Sequence, residues 1–133
     1  MYEIALKIAY NAHKNQYRNQ SNVPYITHSL RVSYAFNDDF KKTIAILHDV
    51  VEDTTITLDD LKKIFPKRIV DAIDSLSKRD GEKHFDYINR LLKNKDAIEI
   101  KIVDVMDNLS DTLCVVSKSM SDRYNKTLGM LIK

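Results

Sequence analysis

The stretch from Ile44 to Asp53 reads I-A-I-L-H-D-V-V-E-D and sets four ionisable side chains into an apolar run. Ile44, Leu47 and Val51 recur at spacings of three and four, the period of a helix with one buried face. Asp49 and Asp53 stand four apart, as do His48 and Glu52, so each pair points to one side of a single helix. Burying three carboxylates and an imidazole among aliphatic side chains is costly unless a cation compensates them. The chemistry implied is that of a metal centre.

The remaining ligands must come from elsewhere in the chain. Asp104 lies among Val103, Val105 and Met106, an equally apolar setting for a carboxylate. Alone, such a residue could face a helix terminus or an internal lysine. Two separate helices that each carry a carboxylate into the core point instead to a shared cation. His13, His28 and His84 are the other histidines. His28 follows Pro24-Tyr25-Ile26 at a helix start, where a ligand is held rigidly. The set His28, His48, Asp49 and Asp104 suits Mn²⁺, Fe²⁺, Zn²⁺, Co²⁺ or Ni²⁺ and leaves positions for water or a substrate oxygen. It contains no thiolate, which speaks against a closed structural zinc site. Glu52, one turn beyond His48, is placed to take a proton from a water on such an ion. Asp53 is placed to hydrogen-bond the same water or to fix a ligand histidine.

The elements that position these groups read as helices. A first helix is expected over residues 3–19, a second from about Tyr25 to Phe36, and a third through Ile44–Asp53 after an N-cap in Asn37-Asp38-Asp39. Thr57, with Asp60 three residues on, caps a short helix over 58–65, and Pro66 opens another that runs to Leu76. Asp80-Gly81 marks a turn in the polar segment Ser77 to Lys83. A helix over 84–94 precedes the longest apolar run, from Ile98 to Val116, expected to form a central buried helix. A polar stretch from Ser117 to Asp122 then leads into a last short helix. With 133 residues, 44% apolar, 30% charged and only two Gly and two Pro, the chain reads as one domain over 1–133. The expected fold is all-α, a compact single-domain helical bundle.

The formal charge of +2 and the even mixing of charges exclude the basic stripe that nucleic-acid binding needs. No stretch approaches a membrane span, and the N-terminus has no apolar signal core. The single Cys114 sits in an apolar run and reads as a core filler in a reducing compartment, so a cytoplasmic location is expected. Oligomeric state is not readable.

Four ordered stretches carry a resemblance: H-x-x-Q-x-R at His13 to Arg18, P-Y-I-x-H at Pro24 to His28, H-D-x-x-E-D-T at His48 to Thr54, and K-I-x-D-x-x-x-N at Lys101 to Asn108. Together they resemble the HD-domain metal-dependent phosphohydrolases, and more narrowly the alarmone-hydrolase domain of the RelA/SpoT group and its small stand-alone relatives. The resemblance implies an HD-type helical bundle in which His28, His48, Asp49 and Asp104 hold manganese. It implies that Glu52 and Asp53 orient or deprotonate the attacking water, and that Arg18 and Asn108 contact the nucleotide. The implied reaction removes the 3′-pyrophosphate of guanosine tetra- or pentaphosphate.

The residues add to and qualify that reading. Asn108 stands four after Asp104 and faces the same cavity in a regular helix. Lys78, Arg79 and Lys83 around the Asp80-Gly81 turn are candidates for gripping a distal phosphate, and His13 and Gln16 for buttressing the pocket. Asp107 and Asp111 add negative charge that such cations must offset. The chain departs from the family pattern at Asn19, where a second basic residue is usual, at Ser29, where proline is usual, and at Asp107, where histidine or tyrosine is usual. These changes alter the base-recognition surface but not the metal machinery. A phosphatase for another nucleotide or a phosphorylated dinucleotide cofactor therefore stands as an alternative, as does a non-catalytic nucleotide sensor.

Overall fold

A computed structural model describes residues 1–110 and 116–133. The expectations for Asp111 and Cys114, and for the extension of the long helix to Leu113, lie outside the described residues. Among the described residues the fold is all helix: α1 (Tyr2–Ala12), α2 (Ile26–Tyr34), α3 (Asp39–Leu47), α4 (Val50–Asp53), α5 (Leu58–Lys62), α6 (Lys67–Leu76), α7 (His84–Leu91), α8 (Lys95–Ser110) and α9 (Lys118–Leu131). The one extended pairing among them is an isolated bridge between Tyr17 and Pro24.

The bundle is built around α3, where Thr43, Ile44, Ala45, Ile46 and Leu47 are all buried. Helices α1, α2, α6 and α8 pack against it, and Ala5, Val32, Ile73 and Ile100 are among the side chains that complete the core. The run from Ile98 is a helix, as expected, but not the most enclosed one. It buries Ala97, Ile100, Asp104 and Val105 while Met106 stays exposed.

Local chemistry sets the ends. Asp38 caps α3 by accepting from the Lys41 amide at 3.0 Å, and Thr57 and Asp60 form a full capping box on α5. Ser117 caps α9 by accepting from the Met120 amide at 3.2 Å, so that helix starts in the stretch expected to be polar coil. The first helix stops at Ala12, well short of residue 19. Asn15 takes a left-handed φ of 69°, and the chain doubles back, with the Arg18 amide donating to Val23 at 2.7 Å and the Tyr25 amide to Gln16 at 2.8 Å. A run of Asn, Gln and Ser offers backbone and side-chain partners that compete with helix.

The largest departure is at the organising stretch, which is not one helix. It breaks at His48-Asp49, with Asp49 at φ −105°, ψ 0°. In an unbroken helix these neighbours would project about 100° apart. The break turns both toward one cleft.

Candidate metal centre and its cleft

His28 comes from α2, His48 and Asp49 from the break between α3 and α4, and Asp104 from α8. One ligand-type atom from each lies within 4.8 Å of all the others. Two ligands on opposite sides of a first-row ion, each about 2.1 Å from it, are themselves about 4.2 Å apart, so a slight contraction around a cation suffices. His28, His48 and Asp104 are buried, and Asp49 nearly so.

The hydrogen bonds orient each donor. Nδ1 of His48 lies 2.6 Å from the Ala45 carbonyl. A carbonyl only accepts, so Nδ1 carries the proton and Nε2 is turned to the carboxylates. Nε2 sits 2.9 Å from Asp49 Oδ2 and 3.3 Å from Asp104 Oδ1 yet makes no well-aligned hydrogen bond. A buried nitrogen pointing at two carboxylates without a proper partner is the position a cation would fill, and this fit comes from the structure itself. Nε2 of His28 lies 2.7 Å from Asp104 Oδ1, and its Nδ1 lies 2.6 Å from Asp107 Oδ2. The Tyr25 hydroxyl donates to Asp49 Oδ2. Asp104 also accepts from Lys101 Nζ at 3.0 Å, so the internal lysine considered as a partner for this carboxylate is present beside the imidazoles.

Electrostatics follow from this crowding. Burial pushes Asp104 up, but Lys101 and the two imidazoles hold it well below the usual carboxylate range. Burial also raises Asp49, and the adjacent His48 more than offsets it. Burial lowers His48 and His28, while the facing carboxylates win and raise both. The field that draws a proton to these imidazoles is a field that draws a metal ion.

Glu52 and Asp53, expected inside the core, are exposed at the cleft rim because α4 is a separate turn. Oε1 of Glu52 accepts from the Lys78 amide at 2.7 Å. The Asp53 carbonyl accepts from Gln16 Nε2 at 3.0 Å, and Gln16 Oε1 is 2.8 Å from His13 Nδ1. His13 and Gln16 thus brace the rim. Desolvation at the rim, with Asp49 and Glu52 close by, pushes the Asp53 carboxyl up to about 7.

A cleft of about 290 Å³ opens over these groups. Asp49, Glu52, Asp53 and Asp104 line one side, and Lys78, Lys101, Arg123, His84 and the rings of Tyr25, Tyr87 and Tyr124 line the rest, with Asn108. Lys78 is therefore at the cleft. Arg79 and Lys83 are not among its lining residues: Arg79 turns to Asp74 at 3.4 Å, and Lys83 is an exposed N-cap of α7. Arg18 is buried, with Nη2 donating to Asn108 Oδ1 at 2.8 Å, which links it to the cleft through Asn108. Lys101, Tyr25, Tyr87, Arg123 and Tyr124 also line the cleft, beyond the candidate residues named from the sequence. Lys101 and Tyr25 stand inside motifs already singled out, so their signal was present. Arg123 and Tyr124, on α9, carried none.

A helical bundle with two imidazoles and two carboxylates converging from three places in the chain is the arrangement that the resemblance to the HD-type metal-dependent phosphohydrolases implies. No family model matches the chain. The guanosine-3′,5′-bis(diphosphate) 3′-pyrophosphohydrolase of Borreliella burgdorferi is 36% identical to it over 142 residues, covering 92% of this chain and 20% of that protein. The bifunctional (p)ppGpp synthase/hydrolase SpoT of Escherichia coli is 36% identical over 132 residues, covering 96% and 18%. The chain thus spans about a fifth of the length of these curated relatives. A solved structure, described as that of a metazoan ortholog of SpoT that hydrolyzes ppGpp, superposes with a TM-score of 0.81 over 98% of this chain and 85% of that one, at 24% identity. That likeness shows the fold. The chain belongs to the RelA/SpoT hydrolase family of HD-domain phosphohydrolases.

Proposed function

We propose that this chain is a metal-dependent phosphohydrolase that removes the 3′-pyrophosphate from guanosine tetra- or pentaphosphate. The observation that supports it most is the approach of His28, His48, Asp49 and Asp104 to within 4.8 Å, with Asp49 and Asp104 lining a cleft whose other walls carry cations. The names of the relatives favour an alarmone as substrate. In this reading His28, His48, Asp49 and Asp104 hold a divalent ion, with Mn²⁺ the best candidate. When bound, such an ion lowers the pKa of a coordinated water and offsets charge on phosphoryl oxygens.

The chain's own groups divide the remaining work. Asp53 is the proton acceptor: its carboxylate lines the cleft beside Asp49 and makes no hydrogen bond to the described residues. Glu52, anchored by the Lys78 amide, orients rather than abstracts. Lys78, Lys101 and Arg123 face the substrate's phosphates, and Asn108, steadied by Arg18, meets the nucleoside. Arg79 and Lys83 reach a distal phosphate only from outside the cleft. The protein acts as one domain over residues 1–133, in the cytoplasm, on a small-molecule nucleotide.

The test is product analysis. Purified protein with Mn²⁺ and guanosine tetraphosphate should release pyrophosphate and guanosine diphosphate in equal amounts. Orthophosphate as the product would favour the phosphatase alternative, and tight nucleotide binding without turnover the sensor.

A further inference from the structure

A three-residue contact lies behind the site. Asp107 Oδ2 is 2.6 Å from His28 Nδ1, and Arg31 grips the same carboxylate with both ends of its guanidinium, Nε to Oδ1 at 2.8 Å and Nη2 to Oδ2 at 3.0 Å. The register is exact in kind on both helices: His28 and Arg31 are three apart on α2, and Asp104 and Asp107 are three apart on α8. Residues three apart share a helix face, so one facing pair meets the other. The His28 side chain is 1% exposed, that of Asp107 13% and that of Arg31 40%. The three therefore run as a relay from the metal floor to the surface.

A carboxylate held ionised by a bidentate arginine can only accept. Nδ1 of His28 must then be the donor, which leaves Nε2 turned toward Asp104. We propose that Asp107, locked by Arg31, is a positioning residue: it fixes the ring angle and the Nδ1–H tautomer of His28, and through them sets the affinity of the site for its divalent ion. This rests on the metal-site reading above. A carboxylate behind a ligand histidine is worth about 10- to 100-fold in metal affinity in other sites.

The test titrates the full chain with Mn²⁺ and follows the free ion by electron paramagnetic resonance, with thermal unfolding in chelator to check that each variant folds. Asp107→Ala should weaken Mn²⁺ binding about 10- to 100-fold. Asp107→Asn, which keeps an oxygen that can accept from Nδ1–H, should recover part of the loss. If Asp107→Ala does not fold, the asparagine variant and Arg31→Ala carry the test. Arg31→Ala is the discriminating change. If Asp107 acted only by its charge, removing a nearby cation would tighten Mn²⁺ binding; a positioning role requires that it weaken. Wild-type affinity in Asp107→Ala, or tighter binding in Arg31→Ala, overturns the inference while leaving the metal site standing. Failure of the unaltered protein to bind Mn²⁺ overturns the metal-site reading and this inference with it.

Discussion

Nε2 of His28 lies 2.7 Å from Oδ1 of Asp104, although 76 positions of chain separate them. The contact joins α2 to α8 beneath the cleft, where a buried imidazole and a buried carboxylate offset each other's desolvation. Removing Asp104 takes away the carboxylate that faces His28 Nε2, His48 Nε2 and Lys101 Nζ together. Asp104→Ala should therefore lower Mn²⁺ affinity by more than about 100-fold, beyond what an outer partner alone controls. It should also lower the melting temperature of the metal-free protein, because Lys101 then loses its carboxylate. Isothermal titration and thermal unfolding read the two effects.

Asp53 and Glu52 sit side by side on α4 with different surroundings. Glu52 is tied to the Lys78 amide, whereas the Asp53 carboxylate is open to the cleft. Asp53→Asn should retain Mn²⁺ affinity within a few-fold and lose turnover by roughly 10²- to 10⁴-fold, the usual worth of a positioned proton acceptor. Unchanged kcat in that variant removes Asp53 from the chemistry.

The same residue predicts a pH dependence. Partial desolvation at the cleft rim, with Asp49 and Glu52 nearby, raises the Asp53 carboxyl from its ordinary 3.8 to about 7 although its side chain reaches solvent. A raised folded-state pKa means that the neutral form is favoured by folding. Its contribution to the metal-free protein is complete below 3.8 and is lost as pH rises through about 7. Chemical denaturation in chelator should thus show stability from this group falling over that window. A divalent ion reverses the sign by favouring the carboxylate, so Mn²⁺ should bind more tightly as pH rises through the same range. A carbon-13 titration of Asp53 with a midpoint near 4 would contradict this.

Away from the site, the capping box on α5 gives a stability prediction. Thr57 accepts from the Asp60 amide at 3.1 Å and Asp60 accepts from the Thr57 amide at 3.0 Å. Thr57→Ala should cost about 1 kcal/mol in urea unfolding with no change in turnover, because α5 lines no part of the cleft.

Much of this was legible in the chain. Periodic apolar residues announced the helices, Thr57 and Pro66 announced their starts, and carboxylates at Asp49 and Asp104 in apolar runs announced a shared cation. The break at His48-Asp49 was not legible, because the run on both sides keeps a helical period. It follows from a tertiary demand: both neighbours must face one point, and the His48 ring takes the Ala45 carbonyl that the helix would otherwise use. The premature end of α1 is a local competition in a polar segment that its fading apolar stripe only hinted at. Arg123 and Tyr124 reach the cleft from α9 by packing alone, and an exposed arginine beside a tyrosine has no pattern to read. Arg79 and Lys83 show the converse. Proximity in sequence to a turn did not fix which way their side chains go, and Lys78 alone of the three lines the cleft.

The central claim is that one divalent ion is gripped jointly by α2, the α3–α4 break and α8. Diffraction from crystals soaked in Mn²⁺, collected at the manganese edge, tests it most directly. The account predicts a single strong anomalous peak at bonding distance from Nε2 of His28 and His48 and from carboxylate oxygens of Asp49 and Asp104. A peak elsewhere, or one that leaves His28 or Asp104 beyond bonding distance, would contradict it.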